Sequence, residues 1–562
     1  MIARTLRGVM KMRRPLPALV CIAVAAALLG AGCAKDAAVR ERRPEFHAAT
    51  TGSAAQSRWV ARFRAARARA KAAPLVAVGE YLKAASEASQ RLAADLGDTA
   101  SRDAYNFAVA RVLGTIQDAG LDPWTKPLPV PGGFTLSHRR DRRPEWNPAR
   151  YDFVPADQFD VRGSYVAEQV VKPGVGAPPV AIGRAPNHDF EKNFGMPRTY
   201  YGVTAVIRFN NGAAELAFED PLATEDVQLA GRRMPLAADF TVPLAVLLEQ
   251  AKPQKMEVSR LLRPEKYAHT ARISRLQPYD PNKTVVLVIH GLMDTPATWT
   301  PLINALRADE TLRRNYQFWF YSYPSGYPYP YSAAILRENL DAARARFPMR
   351  KPIVVIGHSM GGCIGRLLIT DPGDLVWRDI FGRAPADTPM TPAARRIFTK
   401  ALLFRNRPEV GRVIFMAAPL RGSGMAVSPL GRIGSSLVRA PEHLLEAGAN
   451  AVSLMTFQTG DLQMRRIPNS VDTLAPNSRF VRAINKVPMV KGVPVNVISG
   501  DRGKGGNKDR TKPQMSDGIV PYWSSHIAEA ESEKIVASDH SVHQNREAIA
   551  EVARILKKQA AW

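Results

Sequence analysis

Apolar residues change their spacing more than once along the chain. From about Arg58 to Gly120 the sequence is rich in Ala, Leu, Arg and Glu. Within it Tyr81, Leu82 and Ala85, then Phe107, Ala108, Val112 and Leu113, recur at the interval of one helix face. This spacing predicts two or more antiparallel helices, faintly like a helical-repeat hairpin but too few for a repeat array. Residues 121–150 are dense in Pro, Gly and Arg and read as linker or irregular structure. Between Tyr200 and Val246 the period drops to two. Val203 to Phe209 alternates, Asn210-Asn211-Gly212 follows, and Ala213 to Phe218 alternates again, which predicts a hairpin on an Asn-Gly turn. The expectation is a helical region over 33–120, then a linker with a small strand-bearing accessory unit over 121–265. Neither assembles a chemical site.

From there to the carboxyl terminus, short β-branched runs alternate with helical stretches, which predicts an α/β domain with a largely parallel sheet over 270–562. Strands are expected at Val285–Ile289, Gln317–Tyr321, Ile353–Ile356, Arg412–Met416, Val495–Ile498 and Lys534–Val536. Function in such a domain gathers at the carboxyl ends of the strands.

The first 32 residues follow neither period. A basic segment ends Lys-Met-Arg-Arg, an apolar stretch runs from Leu16 to Leu29, and Leu29-Gly30-Ala31-Gly32-Cys33 closes it, the layout of an export signal. The small residues before a cysteine resemble a bacterial lipoprotein signal, although Gly30 stands where leucine is commoner. The resemblance implies cleavage before Cys33, acylation of Cys33 and stable membrane attachment. Ala34 and Lys35 after the cysteine resemble sorting to the outer membrane of a bacterial envelope. Two other readings compete: an ordinary cleaved signal, and an uncleaved anchor helix, which would be short for a span.

Composition bounds the rest. A chain of 562 residues, 46% apolar and 23% charged, exceeds one domain and is not broadly disordered. The net charge of +26 includes five leader bases (Arg4, Arg7, Lys11, Arg13 and Arg14), so a chain beginning at Cys33 carries +21. Such charge suits an anionic membrane surface or acidic partners, or is simply an arginine-rich composition spread over a solvated surface. No basic run interleaves aromatics, so no nucleic-acid partner is expected. Of the three cysteines, Cys21 and Cys33 belong to the leader region, which leaves no intramolecular disulfide after processing.

Chemistry concentrates in four places. Gly357-His358-Ser359-Met360-Gly361-Gly362 lies directly after the apolar run Ile353–Ile356 and before the helical run Cys363–Ile369. Strand, tight turn and helix is the order a nucleophile elbow needs, with glycines where the turn is crowded. His290-Gly291-Leu292-Met293 ends an earlier strand and suits a second oxyanion donor, the amide of Leu292 with Met293 as the alternative. His290 itself reads as a turn-shaping residue. Ser516-Asp517-Gly518-Ile519-Val520-Pro521 supplies an acid and Ser538-Asp539-His540-Ser541-Val542-His543 a base. Asp501 competes with Asp517, and His543 and His526 compete with His540. His358 reads as packing beside the nucleophile, and Cys363 as a buried thiol. No cofactor or metal is expected, because no His/Cys cluster has zinc spacing.

The order Ser359, Asp517, His540, together with His290-Gly291, Gly357–Gly361, Ala418-Pro419-Leu420-Arg421-Gly422-Ser423 and Asp517–Pro521, resembles the α/β-hydrolase superfamily, especially bacterial lipases and serine esterases. The resemblance covers about half the chain. It implies an α/β-hydrolase fold and a Ser-His-Asp triad acting through an acyl enzyme on esters or lipids, with the amides of Met360 and Leu292 as oxyanion hole. Residues 423–488, with Leu430, Leu437, Leu444 and Leu445, stand where such a fold commonly carries a lid; a longer helical cap is the alternative. The aromatic run Tyr321–Tyr331 lines the pocket mouth or forms a rigid surface loop. Thioesterase, amidase or acyltransferase chemistry would use the same triad, and a non-catalytic envelope binding protein could keep the fold.

Overall fold

The computed structural model describes residues 37–47, 54–141, 147–184, 198–251, 254–428, 438, 468–503 and 515–561. The leader, Cys33 and most of the 423–488 insertion lie outside the described residues.

Three helices open the amino-terminal half: α1 (Ala54–Arg69), α2 (Pro74–Ala94) and α3 (Thr99–Ala119). Pro74 opens α2 where its missing N–H is no loss. Asp98 caps α3 by accepting from the Ser101 amide, and Gly120 ends it in the left-handed region at φ 61°. Tyr81, Leu82, Ala85, Ala108, Val112 and Leu113 are buried. The expected hairpin pairs Thr204–Asn210 with Ala213–Glu219, and Asn211 and Gly212 take the positive φ a two-residue turn demands.

One expectation is corrected. The Pro/Gly-rich stretch 121–150 is not linker: Leu128–Val130 and Phe134–His138 are strands of a four-stranded sheet with that hairpin. Pro129 is tolerated because its strand is an edge, and Gly132 and Gly133 supply the turn. A single apolar core joins the helices to the strands, so the helical and strand-bearing stretches form one unit. Tyr105 fastens them: its buried hydroxyl donates to the Ile207 carbonyl (2.8 Å) and accepts from the Ile207 amide (2.9 Å).

The second half is built on a seven-stranded sheet: β1 (Arg272–Arg275), β2 (Thr284–Ile289), β3 (Tyr316–Ser322), β4 (Ile353–His358), β5 (Val410–Met416), β6 (Val495–Asp501) and β7 (Ser532–Ala537). Their order across the sheet is β1-β3-β2-β4-β5-β6-β7. Among the described strands of this sheet, only β1 runs antiparallel to its neighbour. Val285, Leu287 and Ile289 enter one core while Val286 and Val288 enter another on the opposite face. A strand buried on both sides reads as a largely apolar run, which is why five of the six expected strands are legible; β7, at the edge of the sheet, is mostly partly exposed. β1 has one apolar residue in four and escapes that pattern.

Polar contacts bolt the halves together. Glu225 of the first accepts two hydrogen bonds from Arg313 of the second (3.1 and 2.8 Å) and one from Lys172 (2.5 Å). Burial alone would raise the Glu225 carboxyl, but those hydrogen bonds and the two positive charges hold it below its ordinary value. Lys283 donates to the carbonyls of Leu222 and Arg313. Among the described residues, no helix is long and apolar enough to cross a membrane.

Candidate active site

Ser359 sits between β4 and the helix α4 (Met360–Arg366), at φ 53° and ψ −127°. A non-glycine residue there is strained. The strain is held by packing: the Ser359 amide donates to the Met416 carbonyl (2.9 Å) and its carbonyl accepts from Gly362. The flanking glycines are obligatory. A Cβ on Gly361 would lie 2.2 Å from the Ile289 carbonyl oxygen, and one on Gly357 would lie 2.5 Å from that of Gly361. The elbow therefore lifts the hydroxyl above the sheet and leaves the Met360 amide at the first turn of α4, where it has no intrahelical partner.

His540 follows β7, and its Nε2 lies 2.8 Å from Ser359 Oγ. Its Nδ1 lies 2.7 Å from Oδ2 of Asp517, a carboxylate in the loop after β6 that is 1% exposed. The other Asp517 oxygen accepts the amides of Ile519 and Val520 (2.8 and 2.7 Å). Burial pushes this carboxyl up, yet its bonds to His540 and the two amides bring it below the usual value. It is ionised at neutral pH, so the hydrogen on His540 faces it and Nε2 faces the serine. Ser359, Asp517 and His540 are thus brought together. The Ala418–Ser423 motif braces the acid loop: Ser423 Oγ donates to the Ile519 carbonyl (2.6 Å) and the Arg421 amide to Ser524 Oγ (3.1 Å).

The rivals point elsewhere. Asp501 ends β6 and accepts from the Gly503 amide. His526 pairs with Glu533 (2.9 Å). The Met293 amide donates to Ser325 Oγ (3.3 Å) and is thereby engaged. His290 donates from Nδ1 to the Gly291 carbonyl (2.9 Å), and its Nε2 accepts from the Tyr323 amide (3.3 Å). Burial brings its pKa down to about 4, so it is a neutral turn-shaping residue. Cys363 is buried, and desolvation pushes its thiol up to about 12.

Two expectations need correction. Tyr321, Tyr323, Tyr327 and Tyr329 are interior, with Tyr321 donating to the Ser332 carbonyl, so the aromatic run is no surface loop. It continues β3 into the core, where the rings fill volume. His358 is more than packing: its Nε2 donates to the His540 carbonyl (2.7 Å), and its other face meets Asp294 and His543. Desolvation and neighbouring His358 keep the buried His543 neutral. Asp294, two residues past Leu292, attracts no attention in the sequence because its partners are distant in the chain.

Residues 285–552 match the family model described as "Alpha/beta hydrolase family". This half of the chain has the α/β-hydrolase fold. That family supports a hydrolase. No curated protein is significantly similar in sequence. Solved structures that resemble the hydrolase half include a mature lipase from Bacillus licheniformis, 15% identical, spanning 50% of this chain and 93% of the other at a TM-score of 0.30. A metagenomic carboxyl esterase is 14% identical over 51% and 78% at 0.28. A thioesterase domain from the curacin biosynthetic pathway is 15% identical over 49% and 92% at 0.25. Likenesses this distant distinguish no substrate. The strands and the elbow of the hydrolase fold account for where Ser359 lies; the substrate must be argued from the site itself.

Proposed function

We propose that this protein is a membrane-anchored serine hydrolase of carboxylic esters, with Ser359 as nucleophile, His540 as general base and acid, and Asp517 as the carboxylate that orients it. The observation that carries the reading is the unbroken relay from Ser359 Oγ to His540 Nε2 (2.8 Å) and from His540 Nδ1 to Asp517 Oδ2 (2.7 Å), with the serine on strained backbone. His540 takes the hydroxyl proton as Ser359 attacks the acyl carbon, and ionised Asp517 stabilises the resulting imidazolium. The amides of Met360 and Leu292 receive the oxyanion, each such donor contributing roughly a hundredfold or more in rate. His540 then protonates the departing alkoxide, and water repeats the sequence on the acyl enzyme. Thioesters, amides and transfer to an acceptor other than water use the same steps, so substrate trials decide among them.

The test is hydrolysis of nitrophenyl esters from acetate to palmitate by the chain beginning after Cys33, beside Ser359→Ala. Turnover that falls by about 10⁴ or more in the variant supports the serine mechanism, and the chain-length optimum separates esterase from lipase. Undiminished turnover in the variant would sink it. Anchoring at Cys33 in the outer membrane is part of the proposal and rests on the signal-like leader. Cys33→Ser is expected to leave the protein soluble or unprocessed, and unchanged membrane fractionation would remove the anchor.

A further inference from the structure

Beside the relay, three electron-pair donors converge on one buried point. The Nε2 of His358 spends its hydrogen on the His540 carbonyl (2.7 Å); with that single hydrogen on the ring, Nδ1 presents a lone pair. That atom makes no hydrogen bond and lies 3.4 Å from Asp294 Oδ2. His543 turns its Nε2 to the same oxygen at 4.0 Å, with the Gln544 side-chain amide 3.4 Å from that nitrogen. The Asp294 carboxylate accepts from the Thr295 amide (2.8 Å) and weakly from that of Gly291 (3.4 Å). All three residues are buried, and their donor atoms lie within 4.8 Å of one another. Lone pairs gathered around a buried carboxylate are unfavourable without a positive charge between them.

We propose that Asp294 Oδ2, His358 Nδ1 and His543 Nε2 form a site for one divalent transition-metal ion of the zinc class. Two neutral imidazoles and a carboxylate are a donor set zinc accepts. At bond lengths of about 2.0–2.1 Å, tetrahedral ligands stand roughly 3.3 Å apart. The Asp294–His358 pair is already at 3.4 Å, and the Asp294–His543 pair at 4.0 Å closes by less than ~1 Å. One ligand comes from the oxyanion turn, one from the residue before the nucleophile and one from the loop of the catalytic histidine. An ion here ties all three together. It also polarises the His358 ring, strengthening the bond from Nε2 to the His540 carbonyl and so positioning the base.

The experiment reads metal rather than ester turnover, so its failure is separable from failure of the esterase reading. The full chain, purified in detergent, is loaded with zinc, dialysed and analysed for bound metal by plasma mass spectrometry. About one equivalent per chain is expected. Chelation is expected to lower Tm by roughly 5 °C, and added zinc to restore it. Cobalt(II) in its place should give the visible absorption of a four-coordinate nitrogen/oxygen site. Asp294→Asn and His543→Phe should each abolish stoichiometric metal. The cobalt spectrum of the unmutated chain keeps the test decisive if either variant fails to fold. No retained zinc or cobalt with an unchanged Tm would overturn the proposal, as would metal undiminished in both variants; the positive charge would then be a proton on His358.

Discussion

A buried acid in contact with an imidazole can matter by its charge or by its shape, and Asp517 allows the two to be separated. Asp517→Asn keeps the volume and the bonds from the Ile519 and Val520 amides. It offers its own N–H to His540 Nδ1, however, and so turns the hydrogen of the ring toward the serine. The expected outcome is a fall in kcat of about 10⁴ with little change in unfolding temperature, checked by ester kinetics beside calorimetry. At this scale the sequence was most informative where the chemistry is local. The Gly357–Gly361 elbow and the Asp517-Gly518 turn declare themselves because strained backbone needs particular residues at fixed offsets. In the sequence, His540 is favoured over His543 only because it lies first past the last strand, with space before the final helix. The Asp294–His358–His543 contact was illegible, since three distant segments meet there and no spacing encodes it.

Elements were legible where their apolar residues fall in an unbroken or regularly spaced run. β2 and β4 are covered on both faces and announce themselves as apolar runs, whereas β1 and the strands at 128–138 are short and carry their register in tertiary contacts. The sharpest constraint at this scale is the crossing of α4 beneath the turn after β2. Gly361→Ala would drive a methyl group into the Ile289 and His290 carbonyls at 2.2 and 2.5 Å. Because those atoms are backbone, the loss is expected to be about 3 kcal/mol or more, and chemical denaturation would measure it. A variant as stable as the original would mean that α4 can shift away, and the elbow geometry would need revision. Arg366 strengthens the same helix from its other end. Its guanidinium donates to the carbonyls of Leu420, Ile484 and Val487 and to the Asn485 side chain, clamping both bases of the inserted stretch.

For the whole molecule, the decisive contact is the Lys172–Glu225–Arg313 network between the halves. Glu225→Gln leaves the guanidinium of Arg313, 4% exposed, with a neutral partner, and a loss of about 3 kcal/mol is expected. Hydrogen exchange should locate the loosening at the junction rather than in the sheet. Uniform protection across the junction would argue against that assignment. Acid should act at the junction, through Glu225, and within the second half, through Asp309 and Glu531. The carboxyls of Glu225 and Asp309 lie below their ordinary values, and that of Glu531, held by Lys558 and Arg412, falls to about 2. The stability they contribute is present above ordinary carboxylate values and is lost as pH falls through the lowered ones. Unfolding temperature should therefore drop below about pH 4, and a flat profile from pH 5 to 2 would refute the assignment. The order of the sheet also has a consequence in time. Ser359, Asp517 and His540 hang from β4, β6 and β7, and His540 comes 181 positions after Ser359. A ribosome adding about 5–20 residues per second needs roughly 10–40 s to make that interval. For that long Ser359 exists without His540, and on the proposed mechanism the growing chain is chemically silent until His540 has been added.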